Sequence, residues 1–286
     1  MMPVAPATQA AATPTIVPGA PGQARIGVIR SGRRSVVDRA YATSPLRLLM
    51  PANHGHAAWI YTSSFGGGLV DGDRIAMDID VGRGAAAFIS TQASTKIYRS
   101  PGGTSAEMHA RIAADGLLVV APDPVVCFSG ARYRQTQTFE LADRAALVLL
   151  DWVSSGRHAA GERWAFDEYH GQITVRLDGR LVVHDALALR AADGNLRERL
   201  GRFNVLAVAV LAGTTLAAAA SPLVASASAS PVLKRPDQLV AATALGDRGC
   251  VVRFAGTSVE RVGRTIRKFL GFIPALLGDD PWIRKW

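Results

Sequence analysis

Hydrophobic and polar side chains alternate most regularly in the segment RIAMDIDV, residues 74–81. Every second residue there is apolar, which is the pattern of a strand with one buried face. Gly82-Arg83-Gly84 follows and favours a turn, because glycine reaches positive φ without steric cost. Residues 85–91 are then mostly apolar. The pattern predicts two strands joined by a tight turn, approached by a glycine-rich loop at Gly66–Gly68.

Similar runs, bounded by turn residues, recur along the rest of the chain. Asp-Gly pairs at 115–116, 178–179 and 193–194 are typical of hairpin turns. Many short strands at this spacing predict a mostly β fold. The predicted strands are Arg25–Arg30, Pro45–Met50, Ala57–Ser63, Arg74–Val81, Ala85–Thr91, Ala106–Ala114, Leu117–Ala121, Tyr133–Leu141, Ala145–Val153, Ile173–Asp178, Leu181–His184 and Val205–Leu211.

Two stretches of the chain resemble each other without gaps. Residues 81–89 can be laid on residues 141–149, and in both an alternating strand precedes a turn and an apolar strand follows it. Two related units of this kind favour stacked sheets or a solenoid-like β body. Chance similarity between Ala-rich segments is the alternative.

Two helices are expected within this β body. Thr214–Ser230 is Ala-rich and uncharged, and we interpret it as a helix after a buried strand rather than a membrane span, because alanine contributes little transfer free energy. A second helix starts near Thr257, which has capping-box spacing to Glu260. Its apolar residues fall on one face, and Pro274 is expected to end it.

Length and composition place the chain among globular proteins. Residues 1–24 are dominated by Pro and Ala and are uncharged before Arg25, so we expect a disordered N-terminal tail followed by a single β-rich domain at 25–286. The N-terminus lacks the basic and apolar regions of a signal peptide, which favours a cytoplasmic protein. The two cysteines, Cys127 and Cys250, form neither a disulfide framework nor a cysteine zinc site.

The net charge of +9 comes almost entirely from arginine. Arginine pairs well with carboxylates, so an acidic protein surface is one possible partner, and codon bias in a GC-rich genome is the other explanation. No basic run carries interleaved aromatic residues, which argues against a nucleic-acid surface. The glycine cluster fails the dinucleotide pattern because Asp71 stands where the third glycine would be. With no P-loop and no Gly-x-Ser-x-Gly elbow either, the sequence does not predict an enzyme.

Several segments, taken in order, resemble the urease accessory protein D family, which is called H in some organisms. The segments are GGGLVDGD (66–73), the stretch from Val81 through TQASTKIYRS (91–100), Ala121–Gln135, Leu149–Phe166 and Val175–Leu187. The resemblance covers most of the chain after residue 25. Departures lie in the N-terminal tail, in Asn53–His56 and at Cys127.

This resemblance implies a β-helix-like body and a non-enzymatic scaffold for urease maturation. Such a scaffold binds the urease apoprotein and recruits the F-type accessory protein, which engages the nickel-carrying G-type GTPase. Nickel then passes through the scaffold in transit, without a tightly bound cofactor. A purely structural interaction scaffold with no metal transit is the alternative.

Candidate site residues follow from the motifs and from their incomplete structural explanations. Asp73, Asp151 and Glu162 lie inside family-like segments, and a carboxylate at Asp151 on a strand buried on both faces needs a partner, a proton or a metal. We therefore expect these three to line or gate the nickel path. His54 and His56 form a weaker candidate pair for nickel. The basic face of the second helix, with Arg264, Arg267 and Lys268, is a candidate partner surface.

Overall fold

The computed structural model describes residues 19–231 and 233–283. Its strands in chain order are β1 (Gln23–Ser31), β2 (Arg34–Ala42), β3 (Leu46–Leu49), β4 (Ala58–Ser64), β5 (Arg74–Val81), β6 (Ala86–Thr91), β7 (Thr95–Ile97), β8 (Thr104–Ile112), β9 (Leu117–Val120), β10 (Val125–Cys127), β11 (Arg132–Leu141), β12 (Ala146–Ser154), β13 (Glu168–Leu177), β14 (Arg180–Arg190), β15 (Val205–Ala212), β16 (Gln238–Ala244) and β17 (Gly249–Gly256). The α-helices are α1 (Leu196–Arg199), α2 (Ala217–Ser228), α3 (Val259–Phe269) and α4 (Ile273–Leu277). The mostly β class predicted from the sequence is confirmed.

The strands form two sheets. Sheet A has the order β14-β13-β11-β8-β5-β1-β2, and sheet B contains the path β16-β17-β15-β12-β9-β6-β4-β3. The central strands of each sheet pair in parallel, while antiparallel pairs such as β1–β2 and β13–β14 close the edges of sheet A. Strands β7 and β10 pair with each other, and β10 also pairs with β12.

In the central part of the chain, from β5 to β12, the path alternates between the two sheets. The chain runs along β5, β8 and β11 in sheet A and returns after a tight turn along β6, β9 and β12 in sheet B. The two stretches that resemble each other in sequence, 81–89 and 141–149, therefore occupy equivalent turns. The longer connections, which contain the family-like motifs, all meet at the opposite end of the strands. Backbone hydrogen bonds join them there, from Leu69 N to Lys96 O and from Phe128 N to Ile97 O.

The glycine-rich loop is explained by this close stacking of connections. Gly66 and Gly67 have φ of 76° and 71°, values that side-chain-bearing residues rarely adopt. A Cβ on Gly68 would lie 2.6 Å from the ring of Tyr98 and 2.7 Å from the carbonyl oxygen of Lys96. The cluster thus serves backbone geometry.

Sheet B is covered on both faces. One face packs against sheet A, where Ile79 and Phe139 meet Ile60 and Leu149. The other face packs against the helices in a second cluster that includes Trp59, Phe88, Val148, Val262, Ile266 and Leu277. Each fully buried side chain of this size contributes about 1.5–3 kcal/mol through the hydrophobic effect. All nine residues of β12 are buried as a result.

The helices differ from the prediction in number and boundaries. The two expected helices correspond to α2 and α3, but the described residues also contain the short helices α1 and α4. Ser258, not Thr257, caps α3, since its side chain accepts a hydrogen bond from Arg261 N. The helix ends at Phe269, and Pro274 lies in the first turn of α4 instead of ending α3. Proline suits that position because a first-turn N–H has no helical partner.

The predicted N-terminal tail, residues 1–24, falls largely outside the described residues. Gln23 and Ala24 already belong to β1 and are buried. The β-rich body therefore begins at least two residues earlier than the predicted boundary at residue 25.

Candidate functional site

Asp151 lies in the middle of the sandwich, on β12. Its neighbours Leu149 and Val153 point to the core between the two sheets, while Leu150 and Trp152 point to the helical layer. Side chains alternate along a strand, so Asp151 faces sheet A. Only 8% of the residue is exposed, which confirms that the carboxylate is buried.

The carboxylate is held by an amide and not by a cation. Gln135 on β11 donates from Nε2 to Asp151 Oδ1 over 2.9 Å, and Gln135 Oε1 accepts a hydrogen bond from the hydroxyl of Tyr133 over 3.0 Å. None of the ion pairs among the described residues includes Asp151. Burial raises the pKa of Asp151 to about 6, although the hydrogen bond from Gln135 opposes the rise. The negative charge of Asp185 raises it further.

Asp151 belongs to the walls of two cavities. The first, of about 170 Å³, lies between the sheets and reaches the end where the long connections stack. The second, of about 340 Å³, lies between β13 and β14 of sheet A and β15, β16 and β17 of sheet B. Asp151 lines both cavities, and among the described residues it is the one carboxylate in the lining of both.

The wall of the first cavity combines apolar side chains with polar ones. The hydroxyl and amide side chains come from β4, β6, β11 and the TQAST motif: Thr62, Ser63, Ser64, Ser90, Thr91, Ser94, Thr95, Gln135, Thr136 and Gln137. The carboxylates of Glu107 and Asp123 also line it. Polar groups of this kind can hydrogen-bond to water in such a space. The second cavity is mostly apolar, with Asp185 and Arg253 forming a 2.5 Å ion pair across the two sheets in its lining.

The carboxylate of Asp151 is an oxygen ligand of the kind that divalent metals accept. A carboxylate with neutral oxygen ligands and water holds such a metal less firmly than a closed set of nitrogen or sulfur ligands. The described residues contain no group of three or more His, Cys, Asp or Glu side chains arranged to hold a metal ion.

Asp73 stabilises a loop and is absent from the lining of both described cavities. Its Oδ2 accepts a hydrogen bond from the backbone N–H of Val70 over 2.8 Å. The loop that it shapes carries Gly67 and Leu69, which do line the first cavity. The hydrogen bond to Val70 is local to this loop, and the predicted role of Asp73 in the nickel path stays a prediction.

Glu162 is likewise absent from both linings. It forms an ion pair with Arg157 and accepts a hydrogen bond from Ser129 N over 3.3 Å. The hydrogen bond from Arg157 lowers the pKa of Glu162, and the same guanidinium stacks over Phe128 at 4.4 Å. Glu162 thus ties together two of the stacked connections. Like that of Asp73, the predicted role of Glu162 in the nickel path stays a prediction.

His54 and His56 lie in a loop that packs on the C-terminal end of α4. The backbone N–H of His54 donates to Asp279 Oδ2 over 2.9 Å, and that of His56 donates to the carbonyl of Leu277 over 3.1 Å. A Cβ on Gly55 would lie 2.3 Å from the same carbonyl oxygen. This close approach explains the glycine at position 55, and the role of the His54 and His56 side chains as a nickel pair stays a prediction.

The basic face of α3 points away from the body, as expected. Arg264 and Lys268 are exposed and Arg267 is half-buried, while Val262 and Ile266 are buried against sheet B. The two cysteines offer no ready thiolate. Burial raises the pKa of Cys127 far above its ordinary value and that of Cys250 to about 11.

Sequence reasoning identified Asp151 but missed its partners. Gln135 and Tyr133 stand at alternate positions of β11, where Phe139 also points inward. Two glutamines on the inward face of a predicted strand, Gln135 and Gln137, are the signal that indicates a polar interior. Asp185 and Arg253 gave no such signal, because their proximity depends on how β14 and β17 face each other.

Helices that could cross a lipid bilayer are absent from residues 19–231 and 233–283, since none there is both long and apolar enough.

Comparison with known proteins gives a consistent family. The model of the UreD urease accessory protein family matches residues 20–286. The chain is similar to the urease accessory protein UreD of Sorangium cellulosum, with 50% identity covering 94% of this chain and 85% of the relative. It is 45% identical to the protein of that name from Anaeromyxobacter sp., over 92% and 89% of the two chains. It is 32% identical to the urease accessory protein D of Arabidopsis thaliana, over 90% and 98%.

Proposed function

The chain belongs to the UreD family of urease accessory proteins and has a role in urease maturation, and from this premise we propose that it passes nickel to urease through its interior, by way of Asp151. The observation that carries the proposal is that one buried carboxylate, without an ion-pair partner among the described residues, borders two cavities. Nickel is the cargo in this account and not a resident cofactor.

Passage of nickel through the protein requires that each binding site on the path hold the ion weakly. A site that conducts must be favourable enough to enter and weak enough to leave. Asp151 supplies a carboxylate, Glu107 and Asp123 are further carboxylates of the first cavity, and the hydroxyl and amide groups there supply neutral oxygen ligands. Because no closed ligand cage is present among the described residues, an ion that reaches Asp151 can move on.

The same proposal assigns partners. We propose that the chain binds the urease apoprotein and the F-type accessory protein, and through the latter the G-type GTPase, in the cytoplasm and without catalysing a reaction. The exposed cations of α3, Arg264 and Lys268, are the candidate contact for an acidic partner surface. A charge-reversed Arg264→Glu/Lys268→Glu variant should keep the fold, since both side chains are exposed, and should co-purify less with its partner. Unchanged co-purification would remove this face from the interface.

The decisive experiment is reconstitution with urease apoprotein, the F- and G-type proteins, nickel and this chain. Asp151→Asn keeps the size of the side chain and its ability to accept the hydrogen bond from Gln135 but removes the charge. We expect the complex to assemble and the nickel bound per urease active site to fall about tenfold or more. Full nickel loading with Asp151→Asn would contradict a path through Asp151.

A purely structural scaffold is the second candidate function. It predicts that removing the whole chain abolishes urease activation, whereas Asp151→Asn has no effect beyond any change in complex assembly. The two functions therefore differ in one number, the nickel loaded per assembled complex.

A further inference from the structure

We propose that Gln135 and Tyr133 are positioning residues that hold the Asp151 carboxylate in the orientation needed to receive a divalent cation. The inference rests on the proposed nickel path and extends it to two residues of β11. It is carried by the hydrogen-bonded series from the Tyr133 hydroxyl to Gln135 and from Gln135 to Asp151. We call these three residues the relay.

The chemistry of the relay fixes its direction. An ionised carboxylate only accepts hydrogen bonds, so Gln135 must present its NH₂ group to Asp151. The amide oxygen of Gln135 is then turned to Tyr133, which must donate its hydroxyl proton. Each hydrogen bond of the relay therefore fixes the orientation of the next group toward Asp151.

The packing around Tyr133 makes the relay rigid. Tyr133 is 3% exposed, and its ring packs at 6.2 Å on Tyr169, which in turn contacts Phe166 at 6.5 Å. An amide whose oxygen is held by a fixed phenol cannot rotate away from the carboxylate. Supporting interactions of this kind orient metal ligands in proteins, and their loss weakens metal capture by about 10–100-fold.

A purely structural role is the competing explanation, because a buried carboxylate needs a hydrogen bond whatever its function. The two roles differ in how nickel delivery responds to nickel concentration. A positioning role weakens capture of the ion, so extra nickel restores delivery. A structural role lowers the amount of competent protein, so extra nickel restores nothing.

The test uses Gln135→Met with Gln172→Met as its matched control. Gln172 lies on β13, the neighbouring strand of sheet A, and is half-buried like Gln135, but it lines neither cavity, so the control removes the same group outside the proposed path. In the reconstituted system, Gln135→Met should need about tenfold more nickel for half-maximal loading of urease, with the maximum within about twofold of wild type. Gln172→Met should shift neither value by more than about twofold.

Tyr133→Phe gives a second, milder variant, because it keeps the packed ring and removes only the donor. It should shift the half-maximal nickel concentration in the same direction by about two- to threefold. A lowered maximum with an unshifted midpoint in both Gln135→Met and Tyr133→Phe, or equal shifts in Gln135→Met and Gln172→Met, would overturn the positioning role.

Asp151→Asn separates this inference from the proposed function. If Asp151→Asn delivers nickel normally, the path itself is wrong, and the inference falls with it. If Asp151→Asn fails while Gln135→Met behaves like wild type, the path stands and the positioning role alone is wrong.

Discussion

Asp78 and Asp151 are two carboxylates on central strands, with similarly low exposure and opposite surroundings. Asp78 lies on the outer face of sheet A, where its side chain is 15% exposed and receives Arg111 Nη2 at 3.0 Å and His109 Nδ1 at 3.3 Å. Burial acts to raise the pKa of Asp78, but the hydrogen bonds from Arg111 and His109 hold it below its ordinary value. Asp151 has an amide where Asp78 has a guanidinium, and its pKa is raised.

The outer carboxylates belong to a ladder of alternating charge. Adjacent strands place Asp80 opposite Arg111, Arg111 opposite Glu140, and Glu140 opposite Arg176. Arg111 also bonds to Asp80 over 2.8 Å. Opposite charges at neighbouring positions of a sheet stabilise the pairing of its strands. A carboxylate that already has such a partner is not available to a metal ion, whereas Asp151 has a neutral partner and open space on two sides.

The largest change in nickel delivery is expected when Asp151 is given an arginine partner, as Asp78 has on the outer face. Gln135→Arg would give Asp151 a permanent cation, and the adjoining first cavity leaves room for the longer side chain. A guanidinium beside Asp151 repels a divalent ion and occupies its carboxylate. Nickel delivery should fall to the level measured without this chain, while the partners still co-purify. Normal delivery by Gln135→Arg would show that the ion does not use Asp151.

The second effect concerns stability and its pH dependence at Asp151. Because its folded pKa of about 6 exceeds the ordinary value of 3.8, the folded state binds the proton more tightly, and the free energy of unfolding decreases as pH rises from about 4 to 6. Asp151→Asn removes this loss and should stabilise the protein at pH 7.5 by roughly 2–3 kcal/mol. The gain should vanish near pH 4 in urea denaturation. A destabilised Asp151→Asn at pH 7.5 would show that the charge is compensated.

A smaller effect of opposite sign is expected at Asp78. Its lowered pKa means that its ionised form stabilises the fold at neutral pH, and that this contribution is lost as pH falls below the ordinary range of an aspartate. Arg111→Met should therefore destabilise the protein by about 1–2 kcal/mol at pH 7, with a smaller difference at low pH. Nickel loading per assembled complex should not change. Reduced nickel loading per assembled complex in Arg111→Met would contradict the claim that only the interior carboxylate, and not the outer face of sheet A, takes part in nickel delivery.

The alternation of apolar and polar residues was enough to predict β5, β6 and the buried character of β12. These features are visible in short segments of sequence. A strand that is buried on one face alternates apolar and polar residues, and a strand that is buried on both faces is apolar throughout. Asp151 could be singled out for the same reason, because a charge inside an apolar run conflicts with burial. The helices α1 and α4 were missed because four or five residues carry too little periodicity to be recognised.

The surroundings of Asp151 could not be predicted in this way. Its contact with Gln135 joins strands of different sheets, and the second cavity depends on how β14 faces β16 and β17. Asp73 and Glu162 were chosen from their family-like motifs, and the structure shows that their contacts with Val70 and Arg157 stabilise loops. Their role in the nickel path stays a prediction. Motif membership alone does not separate a lining residue from a loop anchor.

The most direct test of the interior carboxylate as a nickel site is to locate the ion. Anomalous diffraction at the nickel edge, from crystals of this chain exposed to excess nickel, should show a peak at Asp151 between the two cavities and none at Asp78 or Asp80. The peak should be absent from Asp151→Asn crystals treated in the same way. Nickel bound at other positions, with no peak at Asp151 in the wild type, would contradict the account.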